Sequence, residues 1–292
     1  MRACQPIHDG YVERDGVKTY YEVFGAGEPT VLLLPTWSIM HSRHWKMQVP
    51  YLARHGRVLT FDGRGNGRSD RPETGYRERE FAADALAVMD ATDTGRAVLV
   101  SLSRGSARAL LLAAEHPQRV DGAVFICPSV PQDPPSPGLR YPWEEELDTD
   151  EGWAKYNRHY WLRDYEGFLE FFFSQMFTEP HSTKQIEDGV GWGLDTTPET
   201  LVAMEYKELL GEETLREVLR RVSCPVLVIQ GTGDAIRGVG RGIALAEATG
   251  GRLVLLEGSG HAPHLRDPVK VNLLLRDFAK SVQPRWVCDR SR

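Results

Sequence analysis

Three polar residues, of types that together can transfer a proton, each follow an apolar run of the chain. Ser103 comes after AVLVSL, Asp234 after VLVIQGTG, and His261 after LVLLEGSG. A serine hydroxyl becomes a nucleophile when an imidazole takes its proton, and a carboxylate bound to the other ring nitrogen holds that imidazole in the required tautomer. If the apolar runs are neighbouring strands, the three side chains meet at one edge of a sheet, and we expect nucleophilic catalysis there.

Short apolar runs alternate with amphipathic segments along most of the chain. Several runs are apolar at consecutive positions, which is typical of strands buried on both faces of a parallel sheet. The predicted strands are 17–24, 30–34, 58–61, 97–101, 122–127, 226–230 and 252–256, and the predicted helices are 80–89, 106–115, 239–248 and 269–281. The alternation predicts an α/β fold of three layers, with a mostly parallel central sheet and helices on both faces.

This alternation stops after Cys127. Five prolines follow between positions 128 and 137, a density that neither a helix nor a central strand tolerates. From 141 to about 221 the chain shows aromatic, amphipathic segments and no buried-strand run, and the strand series resumes at Pro225. We therefore predict a core domain of residues 1–130 and 222–292, with residues 131–221 inserted as a helical cap.

The composition excludes several classes of partner. A formal net charge of −6 lacks the basic excess that nucleic acid or an anionic membrane would require. No apolar stretch approaches the roughly 20 residues of a membrane span, and the first ten residues show no apolar signal segment. The four cysteines form neither a metal-ligand pattern nor a disulfide framework. We expect a cytoplasmic protein that binds a small molecule and neither nucleic acid nor membrane, and the sequence leaves a homodimer open.

The turn Ser101-Leu102-Ser103-Arg104-Gly105 lies between a predicted strand and a predicted helix, and it resembles the nucleophile elbow of the α/β-hydrolases, G-x-S-x-G. Such a strained turn needs small residues two positions before and after the nucleophile, because larger side chains would collide with the backbone. Here Ser101 replaces the first glycine. Taken alone, the turn also fits an ordinary strand–loop–helix connection with capping serines.

Two further loops are similar to those of the same family. His261 follows a Gly-Ser-Gly turn, as in the family's histidine loop, and Asp234 ends a G-x-x-D turn. The resemblance implies a triad in the chain order Ser103, Asp234, His261. His264 competes for the role of base, and Asp133, after the preceding strand, competes for the role of acid. Asp234 also fits an ordinary Asx turn.

The stretch 32–72 resembles the family's oxyanion loop together with the strand and loop that follow it. The resemblance implies that the backbone N–H groups of Trp37 and Arg104 bind the oxyanion, although Pro35-Thr36 precedes Trp37 where His-Gly is usual. The glycines of DGRGNGRSD do not have the spacing of a phosphate-binding loop. We expect this segment to clamp a tight turn beside the site through four charged residues, Asp62, Arg64, Arg68 and Asp70.

The resemblance thus implies an α/β-hydrolase that cleaves a carboxylic ester or lactone through an acyl-enzyme on Ser103, with no metal or organic cofactor. Because the cap is rich in aromatic residues, we expect a bulky apolar substrate group, with Trp37, Met40 and Trp192 lining its pocket. The same aromatic residues also suit the cap's own core. A thioesterase, a C–C bond hydrolase or an acyltransferase would use the same triad, and a ligand-binding receptor can share the fold.

Overall fold

An eight-stranded sheet forms the centre of the computed structural model, which describes residues 3–130, 137–205 and 210–283. The strands are β1 (His8–Arg14), β2 (Val17–Phe24), β3 (Thr30–Leu33), β4 (Arg57–Phe61), β5 (Ala97–Leu102), β6 (Val120–Ile126), β7 (Val226–Gly231) and β8 (Arg252–Leu256). Their order in the sheet is β1-β2-β4-β3-β5-β6-β7-β8. β2 runs antiparallel to β1 and β4, and the remaining neighbours pair in parallel.

Helices connect these strands and fill the insertion. In chain order they are α1 (Val49–Leu52), α2 (Glu78–Ala91), α3 (Gly105–Glu115), α4 (Arg158–Arg163), α5 (Tyr165–Met176), α6 (Thr183–Gly193), α7 (Pro198–Ala203), α8 (Glu212–Arg221), α9 (Val239–Thr249), α10 (Pro263–Arg266) and α11 (Pro268–Ser281). The four predicted helices correspond to α2, α3, α9 and α11. Among the residues described, no helix has both the length and the apolar character that a membrane span requires.

Helices cover both faces of the sheet because successive strand residues point to opposite sides. In β3, Val31 and Leu33 join one buried hydrophobic cluster, and Leu32 joins the other. Helices α1 and α11 pack into the first cluster, whereas α3, α9 and most of the apolar side of α2 pack into the second. Burial on both faces explains the consecutive apolar residues of these strands. The predicted three-layer α/β architecture is confirmed.

The carboxyl ends of the parallel strands share one edge of the sheet. β3 leads towards Trp37, β5 towards Ser103, β7 towards Asp234 and β8 towards His261. The strands β3, β5, β6, β7 and β8 are adjacent in this order, so the loops that follow them are neighbours in space. The order of the strands therefore collects residues that lie far apart in the sequence.

The chain between β6 and β7 is helical and contains no strand in its described parts. Aromatic side chains of α4 and α5 extend the first hydrophobic cluster from the sheet into this insertion. Helix α8 behaves differently, because its Leu215 and Val218 are buried in the second cluster, beside α3. The division into a core (1–130 and 222–292) and a cap (131–221) stays a proposal, in which α8 packs on the core.

Candidate active site

His261 and Asp234, which follow neighbouring strands, form a buried hydrogen-bonded pair. His261 Nδ1 lies 2.8 Å from Asp234 Oδ2, and neither side chain is more than 1% exposed. The other carboxylate oxygen of Asp234 accepts the backbone N–H groups of Ile236 and Arg237, each at 2.9 Å. The carboxylate is thus held through both oxygens, and it orients the imidazole.

The charge on Asp234 follows from these contacts. Burial by itself would raise the pKa of Asp234, but His261 and the two backbone N–H donors lower it to about 2. An ionised carboxylate only accepts hydrogen bonds, so Nδ1 of the neutral imidazole carries the shared proton and Nε2 is left as an acceptor. Nε2 of His261 is buried and has no hydrogen-bond partner within the described part of the chain.

The competing histidine, His264, is engaged elsewhere. Its Nε2 lies 3.1 Å from Nδ1 of His44, and both rings are completely buried against Trp45. Burial lowers the pKa of His264 to about 3, and it also lowers the pKa of His44 well below its usual value. Because this neutral pair is separate from the acid, the geometry favours His261 over His264 as a base.

Ser103 occupies the tight turn between β5 and α3. Its φ of 51° lies in the left-handed region, which a serine adopts only when its surroundings impose it. The backbone N–H of Ser103 donates to the carbonyl of Ile126 in β6 at 3.0 Å. A Cβ at Gly105 would lie 2.8 Å from the Pro35 carbonyl oxygen and 3.4 Å from Cβ of Ser101. The turn therefore requires glycine at 105, and its other flank accommodates serine.

The hydroxyl of Ser103 is hydrogen-bonded to Ser129 and not to His261. The two serine oxygens are 3.1 Å apart, and Ser129 is fully buried in the loop after β6. Cys127 lies between the two parts of the site, which are the turn of Ser103 and the Asp234–His261 pair. It directly follows the strand residue that binds the Ser103 backbone, and its sulfur lies within 4.8 Å of ligand atoms of Asp234 and His261. The structure thus joins acid and imidazole, and it places Ser103 in the turn after β5, which β6 separates from β7. The Ser103 hydroxyl is turned to Ser129.

Cys127, Asp234 and His261 together offer a set of ligands that suits zinc, namely a thiol, a carboxylate and an imidazole. Zinc binds the thiolate form of cysteine, however, and burial raises the pKa of the Cys127 thiol well above its usual value. Asp234 and His261 are also already bonded to each other. These residues therefore fit a proton relay better than a metal centre.

Trp37 and Arg104, the predicted oxyanion donors, are buried at the ends of β3 and β5. Among the hydrogen bonds between described residues, none has the backbone N–H of either residue as its donor. Buried N–H groups normally have an acceptor. Backbone N–H groups without an acceptor are suited to receive the negative oxygen that develops in acyl transfer.

The side chain of Arg104 connects the elbow with the cap. Its Nη1 lies 3.0 Å from a carboxylate oxygen of Glu205, and its Nη2 donates to the carbonyl of Met204 at 3.2 Å. On the core side, Nε of Arg104 lies 3.5 Å from Glu78 in α2. Burial raises the pKa of Glu205, and the adjacent guanidinium opposes this effect. A buried ion pair therefore holds the end of α7 against the nucleophile turn.

The segment that follows α5 packs on the histidine loop. The carbonyl of Met176 accepts the backbone N–H of His261 at 2.9 Å, and the carboxylate of Glu179 accepts that of Gly260 at 2.8 Å. A Cβ at Gly260 would approach the Met176 oxygen to 2.8 Å, so glycine is required before the histidine. The insertion thereby fixes the backbone that carries the imidazole.

Trp37 lies at the seam between the sheet domain and the insertion. Its ring centroid is 5.3 to 6.3 Å from four aromatic rings of the insertion, those of Tyr156, Trp161, Phe168 and Phe172. Most of these rings are buried, so they form a packed core, as one interpretation of the sequence allowed. Met40 is buried in the same cluster. Trp192 is half-buried against the ring of His41 and the ammonium of Lys46.

A cavity of about 360 Å³ opens beside this seam. Its wall includes residues 138–143, Tyr156 and Glu205. Tyr156 also contacts Trp37, with 6.1 Å between ring centroids, and Glu205 is the ion-pair partner of Arg104. Tyr156 and Glu205 thus connect the cavity with the side chains of Trp37 and Arg104. The described wall of the cavity contains none of the three residues expected to line the substrate pocket, Trp37, Met40 and Trp192. Its size and its aromatic wall suit an apolar group of a small molecule.

The loop DGRGNGRSD is structural, but its four charged residues do not clamp one turn together. Asp62 does hold the turn, because it accepts two backbone N–H groups at 2.9 and 3.0 Å. Arg64 instead binds Asp84 in α2 through two bonds of 2.8 Å. Asp70 accepts a backbone N–H of β2, and Arg68 packs on a tyrosine ring of that strand. Asp62 thus holds the turn through its side chain, and Arg68 and Asp70 take part through their backbones, since the Arg68 N–H donates to Asp62 and the Asp70 carbonyl accepts the Gly65 N–H at 2.9 Å. The side chains of Arg64, Arg68 and Asp70 bind outside the turn.

We did not predict three residues of this region from the sequence, namely Ser129, Glu179 and Glu205. A signal existed for Ser129, because it follows β6 at the sheet edge where the other site residues lie. Glu179 and Glu205 belong to the insertion, where no strand end marks the position that faces the site. Asp133, the alternative acid, lies outside the described residues.

The layered fold and the buried acid–imidazole pair are typical of hydrolases, and comparison with known proteins leads to the same class. The model of the α/β-hydrolase fold family matches residues 29–268, so the chain belongs to that family. It is therefore an enzyme of the α/β-hydrolase class.

Similar proteins include hydrolases of several kinds. The AB hydrolase superfamily protein YisY of Bacillus subtilis (strain 168) is 25% identical over 283 residues, which are 91% of this chain and 96% of YisY. A 3-oxoadipate enol-lactonase of Acinetobacter baylyi is 24% identical over 259 residues, 86% of this chain and 89% of the lactonase. The solved structure of Est816, an N-acyl homoserine lactone degrading enzyme, has a TM-score of 0.76 at 28% identity, covering 92% of this chain and 100% of its own.

Proposed function

We propose that the protein is a serine hydrolase that cleaves carboxylic esters or lactones through an acyl-enzyme on Ser103. One observation carries the proposal, the buried 2.8 Å hydrogen bond between His261 Nδ1 and Asp234 Oδ2. Nε2 of the imidazole has no described partner, and Ser103 occupies a strained strand-to-helix turn at the same edge of the sheet. Nucleophilic acyl transfer requires this combination of groups.

In the proposed reaction, the Ser103 hydroxyl first turns from Ser129 towards His261. Nε2 of His261 then takes the hydroxyl proton as Ser103 Oγ attacks the carbonyl carbon of the substrate. The backbone N–H groups of Trp37 and Arg104 donate to the resulting oxyanion. His261 protonates the departing alcohol oxygen, and water, activated by the same imidazole, releases the acid from Ser103.

The proposed substrate carries a bulky apolar group that occupies the cavity beside Tyr156. The volume of about 360 Å³ and the aromatic wall, to which Trp143 contributes, support this choice. So does the contact of Tyr156 with Trp37, since it connects the cavity with a proposed oxyanion donor. The names of the lactone-degrading relatives support lactones beside open-chain esters.

The test is hydrolysis of p-nitrophenyl esters of increasing acyl length and of a γ-lactone. We expect the wild type to hydrolyse both, and Ser103→Ala to lose roughly a thousandfold or more in kcat, because the nucleophile is gone. Ser101→Ala is the matched control, since it removes a hydroxyl from the same turn whose only described role is a bond to the Val124 carbonyl. Its activity should stay within tenfold of the wild type.

A fluorophosphonate probe separates the remaining outcomes. Label on Ser103 together with hydrolysis supports the proposal. Label without hydrolysis would point to an acyl acceptor other than water, as in an acyltransferase. If the wild type hydrolyses none of the substrates and Ser103 takes no label, the proposal is wrong.

A further inference from the structure

We propose that Arg108 is a positioning residue, whose guanidinium fixes the direction of the Trp37 backbone N–H and so assembles the oxyanion hole. The inference rests on the proposed function, because it assigns a role in that reaction to a residue that touches neither the substrate nor the nucleophile. It concerns the loop after β3, in which Pro35-Thr36 replaces the more usual His-Gly.

Arg108 is one of the largest fully buried side chains of the molecule, at 1% exposure. Its Nη1 donates to two successive carbonyls, that of Pro35 at 2.8 Å and that of Thr36 at 2.6 Å. Its Nε donates to the carboxylate of Glu78 at 2.7 Å, and the guanidinium carbon lies 3.6 Å from the ring centre of Phe81. The side chain is therefore fixed by α2 and can serve as an anchor for the loop.

The geometry of the peptide bond carries this anchor to the oxyanion site. The Thr36 carbonyl and the Trp37 N–H belong to one planar trans peptide group, so they point in opposite directions. Because Arg108 binds the Thr36 oxygen, the Trp37 N–H of the same peptide group points away from Arg108. The bond to the Pro35 oxygen holds the preceding peptide group as well, so the loop cannot rotate about Thr36 alone.

The same network reaches the second oxyanion donor. Arg104 and Arg108 lie one helical turn apart at the start of α3, and Glu78 lies between their side chains. Glu78 is buried, with one carboxylate oxygen 2.7 Å from Arg108 Nε and the other 3.5 Å from Arg104 Nε. The Glu78 carboxylate therefore lies against both arginines. Arg108 orients the Trp37 N–H, and Arg104 supplies the second N–H of the oxyanion hole.

The experiment replaces Arg108 by lysine, which keeps the charge but cannot hold two carbonyls and Glu78 together. We expect kcat to fall roughly 10- to 100-fold, because a misplaced donor no longer stabilises the oxyanion, while KM stays within about twofold. The second readout is inhibition by an alkyl trifluoromethyl ketone, whose adduct with Ser103 carries an oxyanion. Its Ki should rise by the same factor as kcat falls, and the pH profile should not move.

Arg57→Lys is the matched control. Arg57 also donates to a backbone carbonyl, that of Thr92 at 2.6 Å, but it lies at the opposite end of the sheet. It should leave both kcat and the ketone Ki within twofold. If Arg108→Lys does not fold, Glu78→Gln weakens the same anchor, and a smaller change of the same two quantities is expected.

The outcomes also separate this inference from the proposed function. If the wild type is active and labelled on Ser103, but Arg108→Lys and Glu78→Gln leave the ketone Ki unchanged, the positioning role is wrong and the hydrolase assignment stands. A fall in kcat without a rise in Ki would overturn it too, because only stability or another step would then be affected. A wild type without activity or label would refute both proposals.

Discussion

Replacement of Asp234 by asparagine tests the acid of the proposed triad. Asparagine keeps an oxygen that can accept the backbone N–H groups of Ile236 and Arg237, which bind Oδ1 at 2.9 Å, so the loop should fold. Its other terminus becomes an NH₂ donor that faces Nδ1 of His261. The imidazole then carries its proton on Nε2, so this nitrogen cannot accept the proton of Ser103. We expect kcat to fall by about 10⁴.

The same substitution should also lower the free energy of unfolding, by an amount that follows from the pKa of Asp234. The difference between a pKa of about 2 in the folded protein and the ordinary 3.8 corresponds to roughly 2 kcal/mol of unfolding free energy at neutral pH. Because the folded state favours the carboxylate, this contribution is full above the ordinary pKa and is lost as the pH falls towards 2. Asparagine does not titrate and lacks this dependence.

The assay combines steady-state kinetics with chemical denaturation of both proteins at pH 5 and pH 3. The stability advantage of the wild type over Asp234→Asn should shrink by about 1 kcal/mol between these two pH values. A difference that does not change with pH would refute the argument from the lowered pKa of Asp234. Near-normal activity of Asp234→Asn would shift the acid role to Asp133, and Asp133→Asn is the corresponding control.

Three further substitutions test other contacts of the site. Ser129→Ala should speed fluorophosphonate labelling of Ser103 up to about fivefold, since it removes a competing hydrogen bond worth roughly 1 kcal/mol; a tenfold loss would instead make Ser129 a positioning residue. Trp143→Ala should lower kcat/KM for long-chain esters by about tenfold relative to the acetate, through lost apolar contact, and an equal effect on both esters would contradict the cavity assignment. Glu179→Ala should lower the thermal midpoint by a few degrees, as expected for about 1 kcal/mol, because the backbone N–H of Gly260 loses its acceptor; Glu179→Gln keeps an acceptor and should behave as the wild type, and equal losses in both would contradict this.

The sequence predicts the centre of this fold well because strands buried on both faces leave a strong pattern. Short β-rich runs, several of them apolar at consecutive positions, predict all seven strands from β2 to β8, with boundaries within two residues of those observed. The edge strand β1 was missed, because His8–Arg14 is charged and largely exposed and obtains its hydrogen bonds from β2 alone. An edge strand of this kind has neither a continuous apolar run nor a fully buried face.

The candidate site likewise has residues that a sequence pattern predicts and contacts that no pattern predicts. Ser103, Asp234 and His261 were identified because each lies in the loop after a strand and that loop resembles a motif of the family. Strand order brings these loops to one edge of the sheet. The contacts of Arg108 and Glu179 were not predicted. Each joins a side chain to a backbone group that is distant in the sequence, by 72 positions for Arg108 and by 81 positions for Glu179. Periodicity shows that a helical residue is buried, but it does not show which carbonyl its guanidinium reaches.

The most direct test of the central claim is rapid-quench mass spectrometry during turnover of a p-nitrophenyl ester. The account predicts an acyl group on the peptide that contains Ser103, formed at the rate of the p-nitrophenol burst and absent from Ser103→Ala. If a p-nitrophenol burst occurs while that peptide stays unmodified, or if the acyl group forms on another residue at the burst rate, Ser103 is not the nucleophile.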